Sequence, residues 1–412
     1  MGSSDGFLVE YFDGENFEEN LLFKENLRGS KFWVFEGFAK EIIAKEERSK
    51  TSVKFSCAYT PDISGEHAFE IFGIGQCRML IDDKELIDNW NNIEPGEAFF
   101  TFGSASKKGF ANFEKGKTYK VEVQYYFEGN FPALYIGCQP PDKIDLFSEA
   151  MDVASEADAV ILIVGTNSDW ETEGNDRADL NLPTNQNALI DAVLNTNKNT
   201  ALIINTGSPV NIPWSSKAKA ILQTWFAGQE FGNALFDILS GEINPSGKLP
   251  TSFPVRIEDT PAFKSYPGKN LQMNYDEKLL IGYRWYEKQS IRPLFCFGHG
   301  LSYTKFKYKN LEINIEDNKE VSCKFSIKNT GQISGAEIAQ CYLRYTKNLE
   351  NEPNKTLQGF CKVNIDAHDE KNVEIRLTQR NFSYWSIDTK SWQIRDGLYE
   401  ILIGSSVKNI YL

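Results

Sequence analysis

The hydrophobic pattern of this chain changes its period twice, which restricts the fold to a sheet-only segment, a mixed segment and a second sheet-only segment in series. From about residue 6 to 143 apolar residues alternate, with Val53, Phe55, Cys57 and Tyr59 on one face of a strand and Tyr119, Val121, Val123 and Tyr125 on one face of another. Turn residues punctuate the alternation at Pro61-Asp62-Ile63-Ser64-Gly65 and Glu114-Lys115-Gly116-Lys117. This predicts an all-β sandwich with no helix of useful length. After Pro140-Pro141, short apolar runs at 159–164, 201–204 and 218–222 read as fully buried parallel strands. Between them Leu189, Ile190, Val193 and Leu194 share a helical face, as do Leu235, Ile238 and Leu239 before Gly241. The layout is βαβ, but with only about three strands it reads as part of a sheet whose other strands lie upstream. From about residue 305 the alternation returns in Cys323, Phe325 and Ile327, then Val373, Ile375 and Leu377, then Tyr399, Ile401 and Ile403. That segment has the size of a two-sheet sandwich. The expected architecture is multidomain and mixed: an all-β sandwich at 1–143, a partial α/β sandwich with parallel strands at 144–304, and a β-sandwich at 305–412. Within the second segment, residues 254–288, rich in Pro, Gly, Tyr and Asp, read as a long ordered connector.

Composition narrows the partners. A formal net charge of -13 repels phosphate backbones and anionic headgroups, so neither nucleic acid nor a membrane surface is expected, and a neutral ligand fits better. No window approaches the roughly 18 apolar residues of a membrane span, and the start, Met1-Gly2-Ser3-Ser4-Asp5, has neither the basic nor the apolar part of a secretion signal. A cytoplasmic location is the expectation for these residues. The seven cysteines are scattered and show no C-x-x-C spacing, so buried thiols are expected rather than disulfides or a zinc site. The sequons Asn354-Lys355-Thr356 and Asn381-Phe382-Ser383 permit glycosylation only if the chain is secreted.

In open α/β sheets ligands bind beyond the carboxyl ends of the strands, which directs attention to the loop after Val164. It runs over residues 165–183, whereas βα connections usually take about 2 to 6 residues. Its sequence, Asn167-Ser168-Asp169-Trp170-Glu171-Thr172-Glu173-Gly174-Asn175-Asp176-Arg177-Ala178-Asp179-Leu180, combines carboxylates, one arginine and a tryptophan. These are the parts of a sugar site: carboxylates move protons and accept hydroxyls, and an indole covers the apolar face of a pyranose. A solvated acidic turn is the alternative for such a charge run. For Trp170, core packing is the alternative to sugar stacking. His299 lies in a Gly-flanked turn with no Ser or Cys partner at a recognisable spacing and reads as structural. Asp82-Asp83 reads as a hairpin turn rather than a calcium-binding pair.

The stretch from Trp170 to Arg177, followed by Leu182-Pro183 and Gln186, resembles the acid/base loop of glycoside hydrolase family 3 β-glucosidases. Asn205-Thr206-Gly207-Ser208-Pro209-Val210, Trp225-Phe226-Ala227-Gly228-Gln229-Glu230, Asn244-Pro245-Ser246-Gly247-Lys248-Leu249-Pro250 and Phe297-Gly298-His299-Gly300-Leu301-Ser302-Tyr303-Thr304 are similar to markers of that family's C-terminal α/β sandwich. Leu357-Gln358-Gly359-Phe360 and Phe382-Ser383-Tyr384-Trp385 resemble its fibronectin type III-like domain, and residues 80–90 its protective-antigen-type insert. The resemblance implies that Glu173 is the general acid/base. Trp170, Asp176 and Arg177 are then candidates for substrate binding, with Asp176 and Arg177 binding hydroxyls or shaping the loop through an ion pair. It implies β-glucosides or related oligosaccharides as ligands, without deciding between glucosides, xylosides and a broader range. Neither metal nor organic cofactor is expected, because acid/base hydrolysis of sugars needs none.

A retaining glycosidase also needs a carboxylate nucleophile about 5 to 5.5 Å from the acid/base. The resemblance implies that this comes from a Ser-Asp-Trp motif in an N-terminal TIM barrel. Ser168-Asp169-Trp170 mimics the tripeptide but lies on the acid/base loop, and no eightfold βα series precedes it. The expectation is a β-glucosidase portion that supplies the acid/base, is inactive alone, and takes its barrel from a longer chain or a partner chain. The alternatives are a non-catalytic carbohydrate-binding protein and a complementing subunit.

Overall fold

A computed structural model describes residues 6–15, 17, 20–34, 37–43, 50–96, 98–99, 102–141, 146–167, 170–173, 176–317, 319–347 and 349–412. The boundary expected at 143/144 lies outside these residues. The chain divides into two compact units: Met1–Ala150 with Ser168–Asp176, and Met151–Asn167 with Arg177–Leu412.

The first unit is an antiparallel sandwich. Its strands are β1 (Phe7–Asp13), β2 (Leu21–Leu27), β3 (Lys31–Trp33), β4 (Lys50–Tyr59), β5 (Gly65–Ile74), β6 (Gln76–Ile81), β7 (Lys84–Asn89), β8 (Lys107–Phe113), β9 (Tyr119–Glu128) and β10 (Ala133–Gln139). One turn of helix, α1 (Lys40–Ile43), interrupts them. A six-stranded sheet, β2-β1-β4-β9-β6-β7, and a four-stranded sheet, β3-β10-β5-β8, bury one core between them. The period-2 pattern dictates this: Val53 and Phe55 on β4 and Val123 and Tyr125 on β9 point inward, and none of the four exposes any surface. The buried Tyr125 hydroxyl is satisfied, donating to the Ile74 carbonyl and accepting from the Ala133 amide. Asp82 and Asp83 form the two-residue turn between β6 and β7, with left-handed φ of 48° and 63°. Lys120 occupies them, its amide donating to Asp82 Oδ1 at 2.8 Å and its Nζ to Asp83 Oδ1 at 2.6 Å.

The second unit opens with α2 (Leu146–Glu156), whose first turns group with the first unit, and β11 (Val160–Gly165). There follow α3 (Gln186–Thr196), β12 (Thr200–Asn205), β13 (Ala220–Gln223), α4 (Phe231–Ser240) and α5 (Tyr283–Lys288). The parallel sheet β11-β12-β13 packs one face, carrying Val164, Leu202 and Ile204, against Ile190 and Leu194 of α3. Gly241 caps α4 in the left-handed conformation that glycine adopts without strain. Full burial, however, does not hold. Ile161 and Ile163 on the other face of β11 are 57% and 51% exposed, and α4 buries none of its residues, leaving Phe236 66% exposed. The sequence of a strand covered on both faces is the same whether or not the covering element is present, so the pattern overstates the burial. The connector is likewise ordered but open, with Leu271, Tyr275, Leu279 and Ile281 all exposed.

Eight strands complete the unit: β14 (Phe306–Ile315), β15 (Val321–Asn329), β16 (Gly335–Tyr345), β17 (Thr356–Ile365), β18 (Glu370–Leu377), β19 (Ser383–Ser386), β20 (Ser391–Ile394) and β21 (Tyr399–Gly404). Sheets β14-β15-β18 and β17-β16-β21 share a core that includes Cys323, Ile327, Cys341, Leu377 and Ile403, and β19-β20 forms a separate hairpin. All seven cysteines are free thiols; Cys57 is only half-buried, and Cys138 is exposed.

Two ionic clusters, each built on a buried carboxylate, join this sandwich to the preceding segment. Lys248 Nζ lies 3.2 Å from Glu337 Oε1, with both side chains almost fully buried, and Tyr308 donates to the same oxygen at 3.0 Å. Burial holds Glu337 above its ordinary range, against the pull of Lys248 and Tyr308. Glu287 on α5 pairs with Lys355 at 3.0 Å and Lys408 at 2.5 Å. Burial pushes Glu287 upward, but the two ammonium groups outweigh it and hold the carboxyl below its ordinary range. The segments around Asn244 and Gly298 serve this joint: Asn244 Nδ2 donates to the Ser334 carbonyl at 3.1 Å, and a Cβ at Gly298 falls 2.2 Å from Gln340 Oε1. His299 stacks on Phe295, with ring centroids 5.2 Å apart, and its carbonyl accepts from the Leu249 amide. Burial and the nearby Lys248 hold the imidazole below its ordinary range, so it is a neutral packing residue.

Candidate active site

The long loop leaves the sheet at the carboxyl end of β11, where the backbones close in: a Cβ at Gly165 falls 2.1 Å from the Asn205 carbonyl. Glycine is therefore required there. The Gln186 side chain, at the start of α3, clamps the exit of the strand from both sides. Its Oε1 accepts the Gly165 amide at 2.8 Å and its Nε2 donates to the Gly165 carbonyl at 2.9 Å. Thr166 continues the ladder by donating to the Asn205 carbonyl at 3.2 Å.

The returning limb is fastened to the segment after β12. Asn211 donates its amide to the Leu180 carbonyl at 2.7 Å, and its Nδ2 to Asn181 Oδ1 at 3.1 Å. Leu182 is buried in the α/β core, and Thr184 turns the chain into α3 through a left-handed φ of 53°. Arg177 donates from Nη1 to Ser208 Oγ at 2.7 Å. Thr206 bridges onward, its hydroxyl donating to the Ser208 carbonyl at 2.9 Å and its carbonyl accepting Gln223 Nε2 at 3.1 Å.

Of the residues singled out in the sequence, Trp170, Glu173 and Asp176 group with the first unit and Arg177 with the second. Glu173 and Asp176 are exposed, and Trp170 leaves 38% of its surface open. Ser168, Asp169, Gly174 and Asn175 lie outside the described residues. The tip of the loop carries carboxylates and an indole, the ingredients for proton transfer to a sugar oxygen and for stacking on a pyranose. In the sequence, Gln186 and the Asn205–Ser208 stretch stand out only through the family resemblance; their function as anchors of the loop is a matter of geometry. Gln223 gave no signal at all, because a lone glutamine at a strand end has no distinguishing pattern.

Residues 43–303 match the glycosyl hydrolase family 3 C-terminal domain, and residues 337–407 the fibronectin type III-like domain. A probable β-glucosidase I of Emericella nidulans is 36% identical over 369 residues, covering 84% of this chain and 44% of the relative. Among solved structures, a β-glucosidase from Kluyveromyces marxianus in complex with glucose superposes with a TM-score of 0.90 at 29% identity, over 98% of this chain and 49% of that one. A β-glucosidase from Streptomyces venezuelae in complex with D-glucose gives a TM-score of 0.65 at 31% identity, over 87% and 44%. The chain spans less than half the length of the relatives it matches. With most of its length matched by the family's own domain, and its loop anchored at the strand ends of that domain, the chain belongs to glycoside hydrolase family 3, of whose β-glucosidases it corresponds to a C-terminal part.

Proposed function

We propose that these residues are the C-terminal portion of a retaining β-glucosidase that releases terminal β-linked glucose, with Glu173 as the general acid/base. The observation that carries the reading is the long, anchored loop at the carboxyl end of β11, which presents Glu173 to solvent. A general acid at neutral pH must be desolvated, so the remainder of the enzyme supplies the cover over Glu173 together with the nucleophilic carboxylate. Trp170 stacks on the sugar, Asp176 accepts a hydroxyl, and Arg177 holds the base of the loop. The open face of β11, the uncovered α4 and the exposed connector support a portion built to be covered by more protein. A non-catalytic carbohydrate-binding role is not favoured, since the relatives matched along the chain are named as β-glucosidases.

The test uses the full-length enzyme that contains these residues. Glu173→Ala lowers kcat/KM on an aryl β-glucoside with a poor leaving group by about 10²- to 10⁴-fold. The loss is much smaller on a dinitrophenyl β-glucoside, whose leaving group needs no proton, and added azide yields β-glucosyl azide. Equal losses on both substrates with no azide product refute the assignment.

A further inference from the structure

Of the three guanidinium nitrogens of Arg177, one has a hydrogen-bond partner. Nη1 has Ser208, but Nε and Nη2 are buried without a hydrogen-bond partner, and among the described residues no carboxylate pairs with the group. Nε–H and Nη2–H point the same way along one edge of the guanidinium, and together they form the fork that matches the two oxygens of a carboxylate. Two hydrogen bonds further on through Thr206, Gln223 Oε1 is also buried and unpaired, so the whole polar cluster at the ends of β12 and β13 is unfinished. Charge decides what completes it. Arg177 is part-buried, but its Nε/Nη2 edge is shut off from water, so this edge keeps a desolvation cost that a carboxylate on the fork offsets. Sugar hydroxyls satisfy the geometry but not the charge.

We infer that Arg177 is a positioning residue whose Nε/Nη2 edge receives an aspartate or glutamate side chain from the share of the enzyme that these 412 residues do not span. That pairing fastens the returning limb of the Glu173 loop only when the enzyme is complete. The inference rests on the chain being part of a larger enzyme, but its test does not depend on glucoside turnover, so the two can fail separately.

The experiment is thermal melting of the 412-residue chain at pH 7 in sodium acetate, which mimics an aspartate side chain, against sodium chloride at equal ionic strength. Acetate raises the melting temperature of the wild type by about 3 °C through binding to the folded form. Arg177→Met melts higher than wild type in chloride, because it removes a guanidinium whose buried edge is unpaired, and it no longer responds to acetate. Arg177→Lys, which keeps the charge without the fork, loses the acetate response while remaining folded by circular dichroism. No acetate-specific shift in the wild type, or a lower melting temperature for Arg177→Met, overturns the inference. Sodium glucuronate is the third arm: a larger shift than acetate makes the cluster an acidic-sugar subsite and overturns the side-chain assignment, while a smaller one upholds it.

Discussion

Glu287 and Glu337 show how two buried carboxylates in one joint respond oppositely to acid. Glu287 is held below its ordinary value of 4.5, so its contribution to stability is complete above pH 4.5 and is lost as pH falls through its folded-state value. Glu337 is raised, so its contribution is complete below pH 4.5 and is lost as pH rises through its folded-state value. Acidification therefore releases the Glu287 clamp while relieving Glu337. Glu287→Gln is expected to cost about 3 kcal/mol at neutral pH, since it leaves two lysines facing a neutral amide. It should also flatten the acid limb of the melting-temperature profile below pH 4.5; an acid limb as steep as that of the wild type contradicts the assignment. Neither cluster was legible in the sequence, because Lys355, Lys408 and Lys248 reach their partners only through the tertiary fold. Asp82-Asp83 was legible, because the left-handed turn that those residues favour is a local matter. Glu173, Trp170, Asp176 and Arg177 stood out by loop length and chemistry, yet the orphaned edge of Arg177 required coordinates.

At the scale of elements, hydrophobic period located the strands and helices well: β4, β9, β11, β12, β15, β18 and β21, and helices α3 and α4, all fall where alternation or helical spacing put them. What the period does not encode is whether each apolar face is covered. The face of β12 carrying Leu202 and Ile204 is packed under α3, whereas Ile163 on the opposite face of β11 is open. Leu202→Ala is expected to destabilise the chain by about 2 to 5 kcal/mol through lost burial and the cavity left behind. Ile163→Ser should stay within about 0.5 kcal/mol, as for an exposed position. Denaturant unfolding of the two variants checks this, and a large loss for Ile163→Ser means that the open face is covered by this chain itself.

At the scale of the whole molecule, the exposed apolar face, the open connector and the unpaired arginine edge are the features that the proposed remainder of the enzyme would cover. The chain spans 44% of a relative at 36% identity, and it carries the loop of the proposed acid/base but no barrel series to supply a nucleophile. Its charge of -13 disfavours a polyanionic ligand. The most direct test is hydrolysis of p-nitrophenyl β-D-glucoside by the purified chain, and by the chain fused behind the N-terminal portion of the Emericella nidulans relative. No turnover by the chain alone, turnover by the fusion, and loss of that turnover in the Glu173→Gln fusion are expected. Turnover by the chain alone that Glu173→Gln abolishes contradicts this, for the nucleophile then lies within these residues and Asp169 is the carboxylate to replace next.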